Sequence, residues 1–101
     1  MRRKKLNPIH PGEVLQEEFL KPLEISQKQL SADTGVSYKR INQIVQRKRS
    51  VTADVALRLA RYFKVSPEFW LGLQMDYDLD MADDSLTDRV EKEVSAYSMV
   101  A

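Results

Sequence analysis

The 101-residue chain has no cysteine, which excludes disulfides and thiolate metal sites and suits a reducing cytosol. It has a single histidine, His10, and only 3 glycines. A Cys/His metal cluster and a Gly-rich phosphate loop therefore have no material to form from. No apolar run approaches the roughly 18 residues of a membrane helix. The opening Met1-Arg2-Arg3-Lys4-Lys5 has no apolar stretch behind it, as a secretory signal would. These absences point to a cytoplasmic protein with no membrane association, no cofactor and no metal. Strand patterning is nearly missing as well, since period-2 alternation never persists. A catalytic constellation is also lacking, so an enzyme is not expected.

What the chain does have is a divided charge. Its net charge is +1, but residues 1–49 hold 11 Lys/Arg against 5 Asp/Glu, and residues 50–101 hold 5 against 10. A basic half beside an acidic half suggests distinct partners, or one partner and a solvated tail. The domain reading is a basic arm over 1–10, a helical domain over 11–79 and an acidic tail over 80–101. Arg2, Arg3, Lys4 and Lys5 read either as a groove-reaching arm or as a solvated end.

Helical start signals recur along the middle of the chain. Pro11 suits a first helical position. Val14, Leu15, Phe19 and Leu20 then share one face, and Pro22 is expected to stop or kink that helix. Ser26 with Gln29 makes a capping box, with Ile25 placed to staple onto Leu30. Gly35 supplies a positive φ that ends the second helix. Ser37 caps a third helix, whose apolar stripe is Ile41, Ile44 and Val45. A fourth helix starts at Thr52 and carries Val55, Ala56, Leu59, Ala60 and Phe63 inward. A fifth starts at Ser66-Pro67, with Phe69, Trp70, Leu73 and Tyr77 on its apolar side.

Past Tyr77 the chain turns acidic. Asp76, Asp78 and Asp80 alternate as in the opening of a calcium loop, but Met81 stands where that loop needs glycine. A solvated acidic loop is the expectation there. Ser85-Leu86-Thr87-Asp88 reads as another capping box, with a sixth helix over about 86–97 carrying Leu86, Val90, Val94 and Tyr97. The fold class is all-α: a five-helix bundle with an additional C-terminal helix.

The second helix, the Thr34-Gly35-Val36 turn and the third helix describe a helix-turn-helix. In such a unit the second helix lies in the major groove of double-stranded DNA, with its first residues toward the base edges. At about 100° per residue, the side opposite Ile41 holds Lys39, Gln43 and Gln46, flanked by Arg40, Asn42 and Arg47. Ser37 and Tyr38 sit at the start of the helix. No acidic residue occurs between Asp33 and Asp54. Base reading is therefore assigned to Ser37, Tyr38, Lys39, Arg40, Asn42, Gln43 and Gln46, since Lys and Arg can donate to guanine, and Asn and Gln can pair with adenine. Phosphate binding is assigned to Ser26 and Gln27, at a helix N-terminus, and to Arg47, Lys48 and Arg49 beyond the third helix. A pair of such units reads two half-sites, so a homodimer is expected. The fifth and tail helices are the candidate dimer faces.

The residues also resemble a known family. His10-Pro11-Gly12-Glu13, Ile25-Ser26-Gln27, Arg40-Ile41-Asn42, Lys48-Arg49-Ser50-Val51-Thr52, Ala56-Leu57-Arg58-Leu59-Ala60 and Ser66-Pro67-Glu68-Phe69-Trp70-Leu71-Gly72-Leu73-Gln74 carry the likeness. The chain resembles the HigA-type antitoxins, the VapI-like branch of the XRE (lambda-repressor-like) regulators, over about residues 8–79. The resemblance implies a DNA operator, a small RNase toxin of the HigB type as partner, and repression of a shared operon. Carried over by position, it also implies base reading by Ser37, Tyr38, Lys39, Arg40 and Gln43. A stand-alone regulator with no toxin is the alternative. One position departs from the pattern: the family often has glycine directly after the third helix, where this chain has Arg47. The helix is expected either to extend there or to leave by another route.

Overall fold

The computed structural model describes residues 8–82 and 84–98. The basic residues of the expected arm, Arg2 to Lys5, lie outside the described residues. Six helical runs follow one another, with no strand among the described residues. The first, α1, is continuous: an α-helical start at Pro11–Val14, a π-helical segment at Leu15–Leu20 and a last turn at Lys21–Leu23. Then come α2 at Gln27–Thr34, α3 at Tyr38–Val45, α4 at Ala53–Phe63, α5 at Pro67–Met81 and α6 at Asp84–Glu93.

Four of these helices begin at the residues that local capping chemistry selects. Ser26, Ser37, Thr52 and Ser66 each accept the N–H three residues on: Gln29, Arg40, Val55 and Phe69. One half of the expected box at Ser26 is replaced. The Gln29 side chain turns forward and donates to Asp33 Oδ1 at 2.8 Å, because that carboxylate one turn ahead is a stronger acceptor partner than the cap backbone is a donor.

Pro22 does not halt α1 where it stands. The Lys21 N–H bonds back to the Gln16 carbonyl, a π register that widens the helix where an α register would press the proline ring on the Glu18 carbonyl. The helix ends at Leu23, and Glu24 takes a left-handed conformation with φ 55°.

The core is one cluster of Leu15, Leu20, Leu30, Val36, Ile41, Ile44, Val51, Val55, Ala56, Leu59 and Trp70, all buried. Val14, Phe19, Ile25, Val45, Tyr62, Phe63 and Leu73 pack around it. Trp70 is fully buried, with the Phe19 ring 5.1 Å away. Phe69 departs from the expected core position: it is exposed at the rim, its ring edge-on to Trp70 at 5.1 Å.

The acidic stretch is not a loop. Asp76, Asp78 and Asp80 lie on α5, which continues past Leu79 to Met81 and buries Asp80. Tyr77, packed against His10 at 4.8 Å, and Gln74, bound to the main chain of Val51, dock this part of the helix on the domain. The tail helix is also shifted. It spans Asp84–Glu93 rather than 86–97, so Ser85 lies within it, and residues 94–98 leave the helix. Leu86 and Val90 on α6, and Val94 and Tyr97 beyond it, are exposed. No described helix is long and apolar enough to cross a membrane.

Candidate nucleic-acid interface

Two short helices and a three-residue turn build the interface. Gly35 ends α2 with φ 79°, and its N–H returns to the Ser31 carbonyl at 2.9 Å. The turn is held from behind. Arg58 on α4 donates from Nη1 to the Thr34 carbonyl at 2.8 Å, placing a cation on the negative end of α2. Asp54 fixes that guanidinium by accepting from Nε at 2.8 Å, and the same contact holds the Asp54 carboxyl below its ordinary pKa. A Cβ built on Gly35 would lie 2.7 Å from Arg58 Nη1, so glycine serves both the positive φ and this close approach. Asp33 is held below its usual pKa by accepting from the Tyr62 hydroxyl at 2.6 Å and from Gln29. That ties α2 to α4 a second time.

Behind α3, α1 makes an unusually close approach. A Cβ on Gly12 would lie 1.8 Å from the Ile44 carbonyl oxygen, so the start of α1 rests directly on the α3 backbone. His10 caps α1 there: its Nδ1 accepts the Gly12 N–H at 2.8 Å. The ring is buried against Tyr77. Burial, then the Arg47 charge, push the His10 pKa below its ordinary value, against opposing effects from Asp78, the Arg49 backbone and Glu13.

Arg47 resolves the exit from α3. Its φ is 64°; its N–H bonds to the Ile44 carbonyl at 2.9 Å, and the Lys48 N–H to the Gln43 carbonyl at 2.8 Å. This is a complete Schellman ending. The helix therefore stops where a glycine would stop it, with an arginine bearing the left-handed strain. The Arg47 guanidinium lies 3.6 Å from Glu13 on α1.

The side chains assigned from sequence divide into open and engaged groups. Tyr38 and Lys39 are exposed and Gln43 is half-buried; Lys39 and Gln43 face away from Ile41, while Tyr38, at the helix start, lies nearer the apolar stripe. Lys48 and Arg49 are exposed beside them. Ser26 and Ser37 use their hydroxyls as caps, while remaining exposed. Arg40 is turned toward α4, donating from Nη2 to Thr52 Oγ1 at 3.2 Å, with Nη1 3.6 Å from Asp54. Asn42 joins Gln27 on α2 to Gln46 at the end of α3.

Two residues that position this surface were not singled out by sequence reasoning: Gln74 and Arg58. Both lie in helices behind the interface and act on backbone groups at least 23 residues away. Only the polar character of Gln74 on an otherwise apolar helix face hinted at this.

Comparison with known proteins agrees with this geometry. The helix-turn-helix family model matches residues 17–70. Virulence-associated protein I of Dichelobacter nodosus is 52% identical over 75 residues, covering 74% of this chain and 69% of that protein. Antitoxin HigA-1 of Vibrio cholerae is 38% identical over 79 residues, covering 78% of this chain and 74% of its own. The solved structure of Pseudomonas aeruginosa antitoxin HigA with the higBA promoter superposes with a TM-score of 0.81 at 42% identity, covering 88% of this chain and 97% of that one. An acid-free α3, a Schellman exit and matches of this extent lead to one conclusion: the chain belongs to the helix-turn-helix family, in its HigA-type antitoxin branch.

Proposed function

We propose that this chain is a cytoplasmic, dimeric repressor that binds an operator through α3 and neutralises a HigB-like, mRNA-cleaving toxin encoded beside it. The observation that carries the DNA-binding half is the open face of α3. Tyr38, Lys39 and Gln43 stand outward there, next to the exposed Lys48 and Arg49, with no acidic residue between positions 33 and 54. Lys39 would donate to guanine acceptors and Gln43 would pair with adenine, with Tyr38 reaching a thymine methyl or a phosphate. Ser37 sits close enough to the helix start to join them. Gln27 and the amide groups at the start of α2 would hold one phosphate, and Arg47, Lys48 and Arg49 the next.

A second copy would place its α3 one DNA turn away, about 34–36 Å along the axis. The exposed Leu71, Met75 and Leu79 of α5, spaced one turn apart, supply apolar surface for that pairing. Regulation by binding, without catalysis, is the role that follows. The toxin half rests on membership in the HigA-type branch.

The test is to identify any small basic reading frame beside this gene and to co-express it with this chain. Growth arrest caused by that frame alone, and relieved by this chain with co-purification of the two, supports the antitoxin role. A chain that binds its operator yet neither rescues growth nor retains the neighbour is a stand-alone regulator.

A further inference from the structure

Asn42 stands at the centre of a chain of side-chain amides. Asn42 Nδ2 donates to Gln27 Oε1 at 3.1 Å, and Asn42 Oδ1 accepts from Gln46 Nε2 at 2.9 Å. Both ends of its amide are engaged within the protein. The three amides form a chain from the first residue of α2 to the residue that caps α3. Asn42 and Gln27 are half-buried and Gln46 is exposed, so the middle of the chain is shielded and its far end reaches solvent. A carboxamide has a donor end and an acceptor end. The orientation of any one of the three therefore sets the other two.

We infer that Asn42 is a positioning residue that couples the polarity of Gln27 to that of Gln46: Gln27 turns its amino group to a DNA phosphate, and Gln46 turns its oxygen to a base amino group in the major groove. This inference rests on the DNA-binding reading above. A phosphate oxygen only accepts hydrogen bonds. Gln27, at the positive end of α2, must offer it Nε2 and keep Oε1 for Asn42. Asn42 then spends Nδ2 on Gln27 and has only Oδ1 for Gln46. Gln46 gives one N–H inward and presents Oε1 with its second N–H outward. That pair matches adenine, which donates from N6 and accepts at N7, and its oxygen matches the cytosine amino group. Guanine presents two acceptors and meets the oxygen unfavourably.

Reversing one end of the chain tests the coupling. Gln46→Glu removes the inward donor. Asn42 must then turn Nδ2 to the new carboxylate and Oδ1 to Gln27, and the phosphate meets Gln27 Oε1. Operator affinity is measured by fluorescence anisotropy across a salt series for the wild type, Gln27→Ala, Gln46→Glu and the double variant. The same four are then measured in an Asn42→Leu background. With Asn42 present, Gln27→Ala should weaken the wild type roughly ten-fold, the size of one hydrogen bond to a charged group. It should change the Gln46→Glu protein by less than about two-fold, the contact having already been lost. With Asn42→Leu, Gln27→Ala should have the same effect whether or not Gln46 is changed. The added charge of Gln46→Glu is common to both arms of the cycle and cancels.

Equal losses on Gln27→Ala in the wild type and in Gln46→Glu would overturn the relay while leaving operator binding in place. A folded wild type that binds no operator would overturn the reading on which the relay rests. The cycle with Asn42 present decides by itself if Asn42→Leu fails to fold.

Discussion

Gln74 and Val51 are joined across the molecule: Gln74 Oε1, buried on α5, accepts the Val51 N–H at 2.8 Å. Gln74 Nε2 donates to Asp78 Oδ1 at 2.9 Å, which fixes the amide's direction. The strand of chain leaving α3 is thereby pinned to α5 directly after the basic residues 47–49. The basic segment before Val51 is held as part of the folded domain rather than as a free loop.

Gln74→Ala should therefore destabilise the domain by about 1–3 kcal/mol, the cost of leaving a buried N–H without an acceptor. Urea denaturation followed by circular dichroism measures this. A change below about 0.5 kcal/mol would mean that water satisfies Val51 once the side chain is gone.

Gly12→Ala should cost more than an ordinary helix substitution, although alanine is the better helix former. The new methyl group would fall on the Ile44 carbonyl, so α1 and α3 must move apart. Overpacking of this kind costs about 1–3 kcal/mol. The melting temperature should fall, and operator binding should weaken with it because α3 is displaced. An unchanged melting temperature would show that α1 does not rest on the α3 backbone.

Arg47→Gly should separate stability from binding. Relief of the left-handed strain, about 1–2 kcal/mol, outweighs the entropy glycine adds to the unfolded chain, about 0.5–1 kcal/mol. The exposed Arg47–Glu13 pair contributes little. The variant should be more stable by several tenths of a kcal/mol in denaturant titrations. It should also bind DNA more weakly, with a salt slope lower by roughly one contact. A less stable variant would show that the guanidinium holds the turn more strongly than its strain opposes it.

His10 should give the fold a pH dependence. Its pKa is lower in the folded protein than the ordinary value of 6.5, so the unfolded chain takes up the proton first as pH falls. The contribution of a neutral His10 is complete above pH 6.5 and is lost progressively below it, down to the folded pKa. His10→Asn keeps a capping oxygen for the Gly12 N–H and removes the titration. Stability measured between pH 7.5 and 5 should fall for the wild type and fall less for this variant. Parallel curves would assign the dependence to other groups.

The parts of the fold that were legible in the sequence are those fixed within one helical turn. Ser26, Ser37, Thr52 and Ser66 cap their helices because a short hydroxyl side chain reaches the N–H three residues on, whatever the rest of the fold does. Gly35 marked the turn for a similar reason. The rest depends on tertiary contacts. Arg47 takes the conformation expected of glycine in a chain that is held on either side of it, at Ile44 by the approach of Gly12 and at Val51 by Gln74. Asp76, Asp78 and Asp80 read as a loop on composition, yet they lie on α5 because Gln74 and Tyr77 dock that helix. The π segment in α1 answers to Pro22, and its register has no periodic signature. Within the site, the outward positions of Lys39 and Gln43 follow from helix angles alone, and Tyr38 from its place at the helix start. The engagement of Arg40 with Thr52 and of Asn42 with Gln27 does not, since each partner lies on another element.

Lys39→Ala with Gln43→Ala, assayed against the chain's own promoter fragment and against an unrelated fragment of equal length, tests the central claim that α3 is the reading helix. The double variant should keep its helical content and its weak, salt-sensitive binding to the unrelated DNA. It should lose at least about a hundred-fold in promoter affinity, since each base contact is worth about 1–3 kcal/mol of discrimination. Promoter affinity within about two-fold of the wild type, from a variant that melts as the wild type does, would contradict the assignment of α3 as the element that reads DNA.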